Sequence, residues 1–159
     1  MKTKIISLFT IVVLSCCYFS FENFGEIKEF LDLVPNAKHV LHIQVAGKDQ
    51  ETQWTKGFTD YQVQSVVLKD FKGSYSDTVI SFSHRVDGPS IEETRSRQLK
   101  IGQEYIVLVS DKYQEITKFE VEGGEMKHIS KKVFLLIDSY KGVQPYSYAL
   151  SDSVLSILK

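Results

Sequence analysis

With 159 residues, 43 % of them apolar and 25 % charged, the chain is long enough for one ordinary domain with a real core. Its 19 basic and 20 acidic residues give a net charge of −1, so it lacks the basic excess that nucleic-acid binding requires. Both cysteines, Cys16 and Cys17, lie near the start, which removes disulfides, thiol catalysis, zinc fingers and iron–sulfur clusters from Tyr18 onward.

Residues 1–15 read as a signal peptide. Lys2 and Lys4 give a basic start, Ile5 to Leu14 is a mostly apolar run without charge, and the first acid is Glu22. The run is shorter than the roughly 20 apolar residues of a membrane span. It ends at Val13-Leu14-Ser15-Cys16, which resembles the lipobox of bacterial lipoproteins. That resemblance implies cleavage before Cys16, diacylglycerol on its thiol and acylation of the new amino group. Several acyl chains hold a protein more firmly than one. The alternatives are ordinary cleavage near Ser20 and an uncleaved anchor over residues 5–21, and both still place the domain outside the cytoplasm. Cleavage before Cys16 leaves 144 residues; losing Lys2 and Lys4 takes the net charge from −1 to −3. Residues 16–25 then form a lipid-anchored tether and 26–159 the domain.

Ile27, Phe30, Leu31 and Val34 recur at helical spacing, and Pro35 stops the pattern, so a short helix is expected over 22–35. A strand is expected over 38–46, where Leu41, Ile43 and Val45 alternate with His42, Gln44 and Ala46. Residues 47–57 are polar, read as a loop or hairpin end, and carry Trp54. The next strand, 58–71, alternates at Tyr61, Val63, Ser65 and Val67, then turns apolar on both faces at 66–68, the pattern of a bend or bulge. After the Lys72-Gly73 turn, Thr78, Ile80 and Phe82 form an inward face. Residues 84–100 read as a charged, solvated loop with a Gly88-Pro89 turn. Glu104 to Val109 reads as a strand buried on both sides. Two further strands, 115–121 and 126–137, flank Gly123-Gly124 as a hairpin. Ser151 is expected to cap a final helix over 152–159, buried through Val154, Leu155 and Leu158.

Helix, about six strands and helix in one small domain suggest a mainly β fold, a closed or nearly closed barrel. Three segments, NAKHVLHIQVAGK (36–48), YQVQSVVLKDFKGSYSDTVISF (61–82) and LKIGQEYIVLV (99–109), with the terminal helix, resemble the netrin/TIMP-like OB-fold. The resemblance implies a small OB-like β-barrel with a short N-terminal helix and a C-terminal helix. It transfers fold more securely than function. The animal inhibitors of that family use a free N-terminal cysteine amine on a protease zinc and brace the barrel with disulfides. Acylation of Cys16 would remove that amine and no disulfide ladder exists, so metalloprotease inhibition is not carried over.

No metal-ligating, nucleophile-elbow or phosphate-loop motif appears, so neither an enzyme nor a cofactor or metal is expected. His39 and His42, three apart on a strand, point to opposite faces and make no ligand pair. Glu92 and Glu93 read as solvated. Trp54, Phe58 and Tyr61 form a candidate binding patch near one end of the long strand; the competing reading is that they cap the barrel. The leading expectation is a lipid-anchored, non-enzymatic interaction module of the cell envelope, in the outer membrane of a Gram-negative host. Its partners would be the membrane, through the lipid, and an envelope protein, with no nucleic acid. The alternatives are an exported hydrolase or protease inhibitor working through the 84–100 loop, and a structural subunit of an envelope complex.

Overall fold

The structure, a computed structural model, describes residues 26–50, 58–87, 98–122 and 125–159. The leader, Cys16 and its tether, Trp54 and the charged residues Glu92, Glu93, Arg95 and Arg97 lie outside the described residues.

Helix α1 covers 26–33 and runs into a 3-10 turn, Val34–Asn36, with Pro35 in its first positions. Phe30 and Val34 are fully buried, whereas Ile27, expected on the same stripe, is 36 % exposed. Six strands follow: β1 (His39–Gln50), β2 (Phe58–Asp70), β3 (Val79–Asp87), β4 (Glu104–Glu122), β5 (Glu125–Leu136) and β6 (Val143–Pro145). Helix α2 spans Tyr148–Ile157.

The sheet closes on itself. β1 pairs antiparallel with both β2 and β4, β2 with β3, and β4 with β5. The ring is completed by a parallel contact of β3 with β5, Phe82 opposite Phe134 and Ser83 opposite Leu135. β6 adds to β4 outside the ring order. The apolar crowding at 66–68 does mark a bulge: Ile43 faces Val67 and His42 faces Lys69, leaving Leu68 as the extra residue. A second irregularity leaves Ala46 over between Val45 and Gly47. The two turns predicted from glycine are made at φ 63° by Gly73 and φ 83° by Gly102, a region that side chains disfavour.

Alternation along β4 builds two cores. Tyr105, Val107 and Val109 point into the ring, against Leu41, Ile43, Val63, Ile80 and Phe82. Ile106 and Leu108 point outward, where α1 and α2 cover them with Phe30, Val34, Leu150 and Val154. Burial on both faces is as the sequence predicts.

Five expectations are corrected. Residues 47–50 are not loop: β1 continues to Gln50, paired with β2 as far as Tyr61. Residues 84–87 are not loop: β3 continues to Asp87, with His84 and Val86 buried and Arg85 ion-paired to Asp60 on the neighbouring strand. Thr78 is exposed, because the strand begins only at Val79. Segments 104–109 and 115–121 belong to one 19-residue strand, which changes partner from β1 to β5 at Val109. The final helix starts earlier, because Ser147 is the residue in extended conformation and its hydroxyl accepts from the Leu150 amide at 3.2 Å, while Ser151 is helical and buried.

Between β5 and β6 the chain leaves β4 and returns to it. The Ile137 amide donates to Leu108 O and the Leu108 amide to Gly142 O. Asp138 holds the excursion, its carboxylate accepting from the amides of Tyr140 and Lys141 at 2.8 Å each. This brings β6 onto β4 where β5 has ended, a short strand the sequence reading did not place.

Candidate functional site

Of the three residues in the predicted patch, only Tyr61 has a described side chain. It is 8 % exposed and belongs to the core inside the ring. Gln98 donates to its hydroxyl, and the Lys48 ammonium lies 5.5 Å from its ring centre. Phe58 begins β2, paired through its backbone with Asp87.

A cleft of about 610 Å³ lies on the wall beside β3 and β6. It lies where the β3–β5 pairing has ended, after Ser83 and Leu135. Leu99, Tyr105, Val86 and Val143 give it an apolar, buried base. Gln98, Gln103, Gln144 and Tyr140 supply polar groups. Arg85 is committed to Asp60 by a two-point bond, Nε to Oδ1 at 2.7 Å and a guanidinium nitrogen to Oδ2 at 2.8 Å. That bond holds the guanidinium well above its ordinary pKa. Lys141 contacts Glu29 at 3.0 Å, which raises its pKa, but the pair is open to water and contributes little to stability. The described lining contains no serine, threonine or cysteine to act as a nucleophile beside His84. Beside these amide and phenol groups the lining carries Glu26, Glu29 and Lys100, so charges of both signs surround the apolar base.

A serine and a histidine do meet elsewhere. Ser74 Oγ lies 2.8 Å from His39 Nδ1 and donates to the Lys38 carbonyl at 3.1 Å. With the hydroxyl proton on that carbonyl, Nδ1 carries its own proton and donates to Ser74, so the ring is not a base for this serine. Burial lowers the His39 pKa, partly opposed by the charge of Asp70. That carboxylate is occupied by the amides of Lys72 at 2.9 Å and Tyr75 at 2.6 Å. Tyr75 packs edge-on against His39 and donates to Val79 O, and burial pushes its phenol up to about 12. The cluster fastens the turn after β2 to the start of β1.

On the outer face, His42 behaves differently from His39. Its Nε2 bonds Glu104 at 2.8 Å, and its ring stacks on Tyr146 at 3.8 Å between centroids and 7° between planes. Tyr146 meets Tyr148 edge-on at 5.7 Å, and Tyr148, the first residue of α2, is 82 % exposed. Gln44 stands opposite Glu104 and donates to Gly102 O at 3.2 Å. The outward direction of His42 is readable from strand alternation. Its tyrosine partners are not, because Tyr146 reaches it only through the β6–β4 pairing.

Among the described residues, no group of three or more His, Cys, Asp or Glu side chains is placed to hold a metal, and no helix is long and apolar enough to cross a membrane. Comparison with protein-family models, curated proteins and solved structures finds no match to this chain.

Proposed function

We propose that this is an exported protein, lipid-anchored through Cys16, whose single domain is a non-enzymatic interaction module of the cell envelope. The observation that carries it is the run from Lys2 to Cys16: basic start, uncharged apolar stretch and the lipobox-like Val13-Leu14-Ser15-Cys16. In a Gram-negative host the residue after the modified cysteine is Cys17 rather than Asp, which favours the outer membrane, and an envelope protein is the expected partner. The ring order supports an OB-type barrel for the domain. Three antiparallel neighbours, β1 to β3, are closed by a later hairpin, β4–β5, that meets β1 on one side and β3 on the other. Packed side chains fill the ring, which leaves its outer surface and the cleft beside β3 for recognition.

The test is intact mass of the membrane-fraction protein, wild type beside Cys16→Ala. A chain beginning at Cys16 and carrying acyl groups, absent from the variant, is the expected result. An unmodified N-terminus near Ser20, with the protein free in the medium, would overturn the anchor.

A further inference from the structure

We propose that the His42–Tyr146–Tyr148 face binds a polysaccharide through the flat side of a pyranose ring. This rests on reading the protein as a binding module and gives that module a ligand class; it does not depend on the anchor.

A pyranose has two chemistries. One face presents aliphatic C–H groups, and hydroxyls surround it. A tyrosine face is apolar with a negative π surface, so it takes the C–H side, while a few fixed polar groups take the hydroxyls. Tyr148 offers the first. It is 82 % exposed and adds almost no burial to the outer core, so packing does not explain it. Yet it is held, by the start of α2 behind Ser147 and by a T-shaped contact with Tyr146. Tyr146 is fixed in turn by its stack on His42 and by its amide, which donates to Glu104 O at 3.0 Å. Conformational freedom already lost before binding is not lost again on binding.

Glu104 and Gln44 offer the second. The carboxylate uses Oε2 on His42, its side chain is 41 % exposed, and Oε1 remains to accept a hydroxyl. The exposed Gln44 uses Nε2 on Gly102 O, which leaves its Oε1 as an acceptor. The contacts run continuously from Tyr148 through Tyr146 and His42 to Glu104. Within it the His42 side chain is only 12 % exposed, so His42 and Tyr146 act as the support, and Tyr148 with Glu104 presents the surface a sugar would meet.

A nucleic acid would use the same stacking but needs cations for its phosphates. Lys69, opposite His42 on β2, has its ammonium 4.7 Å from the Phe71 ring centre, and no lysine or arginine takes part in the row.

The experiment uses the detergent-solubilised full chain, acylated or not. It is spun with purified peptidoglycan sacculi and probed on an array of neutral and acidic polysaccharides, with single-stranded DNA and an unstructured peptide as competitors. Retention by sacculi or by array polysaccharides is expected, and which of the two identifies the source of the sugar. Tyr148→Ala should weaken retention about tenfold or more, and Tyr148→Phe should keep it, both with unchanged melting. Tyr113→Ala, on an exposed tyrosine of β4 away from both the row and the cleft, should have no effect. Retention by no polysaccharide, retention indifferent to Tyr148→Ala, or displacement by DNA or peptide but not by sugar would each overturn the proposal. If the intact mass shows no lipid and sugar binding persists, the anchor alone falls.

Discussion

The two faces of β4 carry cores of different construction. Inside the ring, side chains from all five ring strands interdigitate, and the cluster reaches from Leu41 to Val143. Polar residues are trapped with them: Ser65 is fully buried and His39 and His84 nearly so. Outside, the core is smaller. One helix from each end of the described domain lies over Val40, Ile106 and Leu108. The inner core is therefore the sum of many long-range pairings, whereas the outer one depends on two short helices that would not be stable alone. The difference predicts that one core holds the fold and the other can loosen locally.

The sharpest test of that contrast is Phe82→Ala, at the ring's parallel seam. It should cost about 3–5 kcal/mol and lower the midpoint of a single, global urea transition. Leu150→Ala removes a comparable contact from the outer core and should cost about 2–4 kcal/mol. Its signature should differ in place: by hydrogen exchange, amides of α1 and α2 lose protection first while those of β2 and β3 keep theirs. Equal loss across both cores would abolish the distinction. Ser147→Ala removes the α2 cap, and a loss of about 1 kcal/mol in denaturant titration is expected.

Ser65 sharpens the comparison from the other side. Its hydroxyl is buried and has no hydrogen-bond partner among the described residues. Ser65→Ala should therefore stabilise the protein by up to about 1 kcal/mol, seen as a raised melting temperature. The smallest effect concerns pH. Burial holds the His39 pKa below its ordinary 6.5, so the unfolded chain binds the proton more readily. The neutral ring's contribution is complete above that ordinary value and is lost as pH falls through it toward the folded value. The urea midpoint of the wild type should fall between about pH 7.5 and 5, and His39→Gln should flatten part of that slope.

Much of the inner core was legible because strand alternation is a strong signal. Leu41, Ile43 and Val45, then Tyr61 and Val63, then Tyr105, Val107 and Val109 all point where their spacing predicts. The signal failed where a polar residue took an inward position. His84 and Val86 continue the face of Ile80 and Phe82, but the His84-Arg85 pair reads as the start of a charged loop. At the other end, Ser147 and Ser151 are both plausible caps by type, and only backbone conformation separates them. β6 is three residues long and ends in proline, too short to show any period. The outer aromatic row was hidden for the same reason, since Tyr146 meets His42 only after β6 has docked.

The ring is closed by two parallel residue pairs, Phe82–Phe134 and Ser83–Leu135, whereas every other junction in it is antiparallel and longer. Neighbouring strands β1–β2, β2–β3 and β4–β5 can find one another locally; β1–β4 and β3–β5 both join segments far apart in sequence, and β3–β5 does so with the fewest residue pairs. Long-range closure of this kind is slow. We therefore expect the β3–β5 junction to be the last to form during folding and the first to part under load. Refolding monitored at that junction should lag behind hairpin formation, and a synchronous return of both signals would show that the ring assembles in one step.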